Sequence, residues 1–154
     1  MTEPGTISQG PQVRTFLYAH VIWSVSGRRP LLKRTLRKVL CAHLVKMGEE
    51  AGISVLAADG HDDHMHVLLR LHAVQHLMGV VRQLQSGSTD WLRGTRMVPD
   101  DFAWDEGFMA YSVSPSAVKQ VEEYLAHQEQ YHQAKGLDQE LEVFEKAGTT
   151  APKK

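Results

Sequence analysis

The sequence has little cysteine and no long apolar run, and both features exclude classes of protein. Cys41 is the one cysteine in 154 residues, so an intramolecular disulfide is impossible and a reducing cytoplasm is the expected location. No apolar stretch approaches the roughly 20 residues that cross a bilayer, and the segment from Met1 to Pro11 is polar, unlike a secretion signal. We therefore predict a cytoplasmic protein without a membrane partner, in which Cys41 packs a helix.

What the sequence contains is typical of one globular domain. Of its 154 residues, 42% are hydrophobic and 23% are charged, which is ordinary for a chain with a sizeable core. We predict a single domain over residues 14–147, with flexible ends at residues 1–13 and 148–154.

The net charge of −1 hides a strong asymmetry along the chain. Gln12 to Lys46 contains eight Lys or Arg and no acid, whereas Asp100 to Lys146 contains eleven acids and three bases. A basic first part suits a phosphate-binding surface, although the same side chains could simply solvate a helix. The candidate phosphate-binding residues, which would contact DNA if the ligand is a nucleic acid, are Arg14, Arg28, Arg29, Lys33, Arg34 and Arg37 of this part, with Arg82, Ser86 and Ser88 of the second predicted helix.

The stretch from His64 to Leu71 alternates with a period of two, as in a half-buried strand. His64 and His66 fall on one face, roughly 7 Å apart at about 3.3 Å per residue. Two ring nitrogens at that separation can converge on one metal ion, but a third ligand must come from elsewhere. Among nine histidines, such a pair can also be a surface coincidence. His20 could join the same face or be purely structural.

Seven elements are expected from hydrophobic periodicity, turn residues and capping signals. We predict strands at 15–25, 53–58, 64–71 and 102–113, and helices at 32–51, 72–92 and 115–133. Asp59-Gly60 predicts a tight hairpin turn. Ser114 is expected to cap the last helix, with Pro115 in its first turn.

This order of elements predicts an α+β fold with the split β-α-β, ferredoxin-like pattern. The fold has an antiparallel sheet with two helices on one face. The last helix is an addition that could cover the other face, and it carries Tyr124 and Gln128 as neighbours four residues apart. Tyr124 offers a nucleophilic phenol, and Gln128 an amide oxygen that could complete a two-histidine metal site. Alternatively, both are ordinary residues of an amphipathic helix.

The combination of three motifs is more specific than any one of them. The His64-Met65-His66 strand, the Ser112-Val-Ser-Pro-Ser116 helix start and Tyr124-Leu-Ala-His-Gln128 together resemble the single-tyrosine transposases of the HUH endonuclease superfamily, the IS200-like enzymes of small insertion sequences. The resemblance covers roughly residues 14 to 147. The segment from Trp104 to Ser116 looks especially like the REP-associated subgroup.

This resemblance implies a metal-dependent transposase that cleaves and rejoins single-stranded, hairpin-flanked DNA through a 5′-phosphotyrosine. His64 and His66 would bind Mg²⁺ or Mn²⁺, Gln128 would assist, and Tyr124 would be the nucleophile. His127 or His61 could accept the phenol proton, and Trp23, Trp91 or Trp104 could stack on bases if they are not core residues. Relatives act as homodimers, some with the tyrosine helix exchanged.

Two other functions stay open at this point. The chain could be a domesticated protein that binds nucleic-acid hairpins without cutting them, because an open ferredoxin-like sheet is a common RNA platform. It could also, less specifically, be a metal-binding or metal-sensing protein that uses its histidines.

Overall fold

A four-stranded antiparallel sheet lies at the centre of the computed structural model, which describes residues 12–149. Its strands are β1 (Leu17–Ser24), β2 (Ser54–His61), β3 (His64–Leu71) and β4 (Met109–Val113). They lie in the order β2-β3-β1-β4. The outer parts of the predicted flexible ends, residues 1–11 and 150–154, lie outside the described residues.

Helices cover both faces of this sheet. One face carries α1 (Arg34–Glu50) and α2 (Leu77–Thr95). The other carries α3 (Val118–Ala126), α4 (Gln128–Ala134) and α5 (Leu137–Thr149). The connectivity and strand order confirm the predicted ferredoxin-like fold, and the added C-terminal segment covers the second face as expected.

The apolar core fills the space between the sheet and the first two helices. Alternate residues of β1 and β3 enter it, including Val21, Trp23, Met65, Val67 and Leu69. They meet the apolar stripes of the two helices, whose buried members include Leu36, Leu40, Leu44, Val81, Leu84 and Leu92. Cys41 of α1 is half-buried against this core, as predicted. Because side chains alternate along a strand, the intervening residues of β1 and β3 face the C-terminal helices.

The predicted hairpin turn at Asp59-Gly60 was wrong by three residues. Both residues belong to β2, where they pair with His66 and Met65, and the chain turns at Asp62 and Asp63 instead. Two backbone bonds fix the turn there: the Leu32 amide donates to the Asp62 carbonyl, and the Val25 amide to the Asp63 carbonyl, both at 2.8 Å. Contacts from elsewhere in the fold therefore overrode the local turn signal.

The single helix predicted over 115–133 was also wrong, because it is interrupted at His127. The His127 ring approaches the Glu123 carbonyl at 2.7 Å, which is the acceptor that its own backbone amide would use in a continuous helix. That amide bonds to the Tyr124 carbonyl instead. At the start of the segment, Pro115–Ala117 form a 3₁₀ turn, and the side chain of Ser114 does not cap it.

Two further differences from the predicted elements concern the fourth strand and the segment after the last predicted helix. The fourth strand is only Met109–Val113, because Phe102 and Trp104 are buried in an irregular segment with one bridge from Trp104 to Val25. The acidic segment after residue 135 forms α5, which sequence reasoning left without structure.

Among residues 12–149, no helix combines the length and apolar character that crossing a bilayer requires.

Candidate active site

The two imidazoles of β3 lie side by side beneath the C-terminal helices. His64 and His66 are both fully buried, and their ring centroids are 5.1 Å apart. Each presents Nε2 to one carboxylate oxygen, Glu140 Oε1 of α5, at 3.4 Å from His64 and 2.9 Å from His66. The sequence-predicted pair therefore converges on a common point.

Asp63 orients the first of these rings. Its carboxylate lies 2.7 Å from His64 Nδ1, and because a carboxylate only accepts, Nδ1 donates. His64 Nε2, on the other side of the ring, is buried and without a hydrogen-bond partner among the described residues. Burial lowers the pKa of His64, but the Asp63 and Glu140 carboxylates outweigh burial and raise that pKa overall.

His20 of β1 orients the second ring. Its Nε2 lies 2.7 Å from His66 Nδ1, on the sheet face that His20 was expected to share. Burial lowers the pKa of His66 to about 4, although Glu140 works in the opposite direction. Burial, followed by the neighbouring His66, lowers the pKa of His20 to about 3. Both rings are therefore neutral at physiological pH, as metal ligation requires.

Helix α3 brings the predicted nucleophile to the same place. The Tyr124 hydroxyl donates to Glu140 Oε2, and the centroid of its ring is 6.0 Å from that of His66. Burial, then the hydrogen bond to Glu140, raises the pKa of the phenol well above its usual range. Tyr124 is thus protonated at rest, and its hydroxyl contacts Glu140, not His61 or His127.

Gln128 is buried at the start of α4, directly after the break in the helix. Its amide Nε2 donates to Glu140 Oε2 at 3.0 Å, and its Oε1 lies 3.0 Å from His132 Nε2. The predicted ligand therefore joins the cluster, although in this structure it contacts Glu140 and His132.

Glu140 and His132 are functional candidates that sequence reasoning missed. Glu140 is fully buried, and its carboxylate contacts His64, His66, His132, Tyr124 and Gln128. Burial would raise its pKa, but hydrogen bonds from His132, His64 and His66 outweigh burial and hold the pKa far below its usual range. A helical signal was present in the spacing of Leu137, Leu141 and Phe144.

The donor set fits a divalent metal ion. One donor atom from each of His64, His66, His132 and Glu140 lies within 4.8 Å of the others. Imidazole nitrogens and carboxylate oxygens are common ligands of divalent metals, and His64 Nε2 has no other partner in the described structure. The residues present therefore fit a divalent metal ion, although the group does not include the predicted ligand Gln128.

A cleft of about 280 Å³ opens beside Tyr124. Its walls are mostly aromatic and apolar, and they include His20, Val121, Tyr131 and Phe144. A second phenol, that of Tyr131, lines the same cleft, with its ring centroid 5.9 Å from that of Tyr124.

The predicted DNA-binding residues lie outside this cluster, and most basic ones are paired with acids. Arg28 pairs with Asp138 of α5, and Arg34 with Glu129 of α4. Arg29 pairs with Asp101, and Lys33 with Asp62. Arg14, Arg82 and Ser86 are exposed.

Two of these nine residues and two of the three tryptophans are buried. Arg37 donates to the Leu32 carbonyl and to Asp62. Ser88 accepts a hydrogen bond from Trp104 Nε1 at 2.9 Å. Trp23 and Trp104 belong to the core, while Trp91 is half-buried and stacks on His43 with ring centroids 4.3 Å apart.

Comparison with known proteins agrees with this fold. The family described as "Transposase IS200 like" matches residues 14–128. A crystal structure of a candidate transposase from Deinococcus radiodurans R1 is similar, with a TM-score of 0.61, 19% identity, and coverage of 79% of this chain and 98% of that chain. A REP-associated tyrosine transposase bound to a REP hairpin has a TM-score of 0.56, 15% identity, and coverage of 82% and 74%.

The ferredoxin-like sheet with its added C-terminal helices is thus similar in fold to transposase structures. The chain belongs to the IS200-like transposase family, which confirms the resemblance seen in the sequence. No curated protein matches the chain.

Proposed function

We propose that this protein is a metal-dependent tyrosine transposase that cleaves and rejoins single-stranded DNA. The observation that carries the proposal is the convergence of Tyr124, His64 and His66 on one buried carboxylate, that of Glu140. The phenol and the imidazole pair, which are distant from each other in sequence, thus meet at a point where a phosphodiester could be held and attacked. The family membership of residues 14–128 supports the same chemistry.

The chain's own residues have distinct roles in this reaction. Tyr124 Oη attacks the phosphorus, the bond from phosphorus to the 3′-oxygen breaks, and a 5′-phosphotyrosine and a free 3′-OH result. The phenol gives up its proton, and the leaving 3′-oxygen gains one. Attack by the 3′-OH of another strand reverses the step, so joining needs no nucleotide cofactor.

His64, His66 and Gln128 would hold a divalent ion, Mg²⁺ or Mn²⁺, which polarises the phosphodiester when bound. Asp63 and His20 fix the orientations of the two imidazoles. Because the pKa of Glu140 is strongly lowered, its carboxylate is a weak base and serves to hold the phenol. A scissile phosphate within reach of Tyr124 would occupy the space of this carboxylate, so DNA binding requires Glu140 to move.

Single-stranded DNA presented by a hairpin is the substrate that best suits the site. A phosphate that meets a helix-borne phenol needs a flexible strand, and the aromatic cleft beside Tyr124 could hold a flanking base. The predicted DNA-binding set, from Arg14 to Ser88, would supply backbone contacts where its members are exposed. A structurally similar protein is described as bound to a REP hairpin.

A homodimer remains part of this proposal. Tyr124 and the histidine pair meet within one chain here, so cleavage would not depend on exchange of the tyrosine helix. If the active species is a dimer without exchange, mixing a Tyr124→Phe chain with a His64→Ala chain should restore no cleavage.

A nicking assay on a single-stranded hairpin oligonucleotide with Mn²⁺ tests the proposal. Tyr124→Phe should reduce cleavage by about 10³-fold or more, because it removes the nucleophile. The wild-type protein should leave a covalent adduct in a denaturing gel. Tyr131→Phe is the matched control, since this phenol lines the same cleft and should be dispensable.

Three outcomes would contradict the assignment. Full cleavage by Tyr124→Phe would remove Tyr124 as the nucleophile. Salt-sensitive hairpin binding without an adduct would favour the non-cleaving hairpin-binding protein. A thermal shift with metal but none with DNA would favour the metal-binding protein.

A further inference from the structure

Four side chains from three elements converge without help from Gln128. They are His64 and His66 of β3, His132 of α4 and Glu140 of α5. We infer that these four residues form a closed metal site, which binds a divalent transition ion of the Zn²⁺ or Co²⁺ type when DNA is absent. The inference deepens the proposed function, with which it shares the histidine pair.

The distances around Glu140 Oε1 already match such a site. This oxygen lies 2.9 Å from His66 Nε2, 3.2 Å from His132 Nε2 and 3.4 Å from His64 Nε2. In a tetrahedral site with bonds of about 2.0–2.1 Å, ligand atoms are roughly 3.3 Å apart. All four donor atoms lie within 4.8 Å of one another, so enclosing an ion requires the wider pairs to close by up to roughly 1.5 Å.

In each of the three imidazoles, the Nδ1 atom has a hydrogen-bonding neighbour, as the second nitrogen of a metal-bound histidine usually does. His64 Nδ1 donates to Asp63, and His132 Nδ1 donates to the Lys135 carbonyl at 2.8 Å. His66 Nδ1 lies 2.7 Å from His20 Nε2, which would accept from it once a metal replaces the proton that His66 Nε2 donates to Glu140. Such partners would fix the tautomer that a metal-bound Nε2 needs. All three Nε2 atoms are turned toward the same oxygen.

One atom of the cluster also lacks a partner that a metal ion could supply. His64 Nε2 is buried, has no hydrogen-bond partner among the described residues, and lies 3.4 Å from Glu140 Oε1. An ion between these two atoms would be bonded to both, and a buried polar atom without a partner is unfavourable.

The ligand types indicate the class of metal. Three imidazole nitrogens and one carboxylate favour transition ions over Mg²⁺, which prefers oxygen ligands and retained water. Gln128 then has a positioning role in the DNA-free protein, because its amide contacts Glu140 and His132. The ligand set with Gln128 would form only after Glu140 moves.

Titration of the metal-free, full-length protein with Co²⁺ alone, followed by visible absorption, tests the site. We expect the intense bands of four-coordinate Co²⁺, which Zn²⁺ abolishes and millimolar Mg²⁺ leaves unchanged. Glu140→Gln and His132→Asn should each weaken Co²⁺ binding by more than the roughly 10–100-fold that loss of an outer-shell partner costs. Glu142→Gln, on the same helix with an exposed side chain, should bind as the wild type does.

Wild-type Co²⁺ affinity in both variants, or only the weak bands of six-coordinate Co²⁺ in the wild type, would overturn the inference. Circular dichroism in EDTA shows whether each variant folds. If Glu140→Gln does not fold, Glu140→Asp and His132→Asn decide by the same titration. Because DNA is omitted, failure here leaves the nicking assay valid, and failure of nicking leaves the metal titration valid.

Discussion

The two faces of the central sheet differ in chemistry, because one carries the apolar core and the other carries a buried polar cluster. On β3, Met65 and His66 are adjacent and both have no exposed surface. Met65 enters an apolar core against α1 and α2, whereas His66 enters a polar cluster against α4 and α5. Burial alone therefore does not separate scaffold from site. What separates them is whether the covering helices bring apolar side chains or hydrogen-bonding groups.

We infer from this contrast that the sheet face toward α1 and α2 stabilises the fold, whereas the face toward α3, α4 and α5 carries the candidate active site. Apolar burial contributes roughly 25 cal/mol per Å², so the face toward the first two helices supplies most of the folding free energy. Buried ionisable groups contribute little net stability even when paired. The face toward the last three helices is held in place so that its groups can react or bind.

The largest expected effect on stability comes from a cavity on the sheet face toward α1 and α2. Leu69→Ala should lower the free energy of unfolding by about 2–5 kcal/mol, because Leu69 is fully buried and its loss leaves a void. Urea denaturation followed by circular dichroism measures this. Leu17→Ala in the same sheet is the control, since Leu17 is 52% exposed and should cost about 0.5 kcal/mol or less. Equal losses at both positions would contradict the division between the two faces.

An intermediate effect is expected on the sheet face toward α3, α4 and α5, where a substitution should lower the affinity for metal. His20→Ala should weaken Co²⁺ binding by about 10–100-fold, because it removes the partner of His66 Nδ1. Calorimetric titration measures this change. Tyr111→Phe is a nearby control: its hydroxyl has no hydrogen-bond partner within residues 12–149, so metal affinity should stay the same. A loss of affinity in Tyr111→Phe alone would contradict the assigned role of His20.

The smallest effect is expected at the one side-chain hydrogen bond between Trp104 and α2. Ser88→Ala should lower the free energy of unfolding by about 0.5–1.5 kcal/mol, because Trp104 Nε1 loses its acceptor. Ser86→Ala, exposed on the same helix, should change stability by about 0.5 kcal/mol or less. The affinity of both variants for hairpin DNA, measured by fluorescence anisotropy, shows whether Ser88 stabilises the fold or contacts DNA. A loss of affinity in Ser88→Ala without a change in stability would favour the DNA contact that the sequence predicted.

The sequence predicted those parts of the fold that local periodicity encodes. Alternation along β3 placed His64 and His66 on one face, and the motif from Tyr124 to Gln128 identified two more members of the cluster. The turn after β2 was misplaced because backbone bonds from Leu32 and Val25 fix Asp62 and Asp63 in the turn. A window of a few residues does not contain those donors.

The C-terminal half of the cluster was harder to predict for a different reason. The break at His127 depends on a side-chain bond to the Glu123 carbonyl, which residue propensities do not describe. Glu140 lies on a helix rich in acids, where a solvated carboxylate is the ordinary expectation. Only the tertiary arrangement shows that this carboxylate is buried among imidazoles.

The single residue between the two imidazoles of β3 has a consequence for evolution. Because successive strand residues point to opposite sides, deletion of Met65 would make the histidines adjacent and drive one of them into the hydrophobic interior. Substitutions at this position can preserve the site if they keep an apolar side chain. Changes in length there cannot, so we expect natural variants of this hairpin to differ in composition but never in the number of residues that separates the pair.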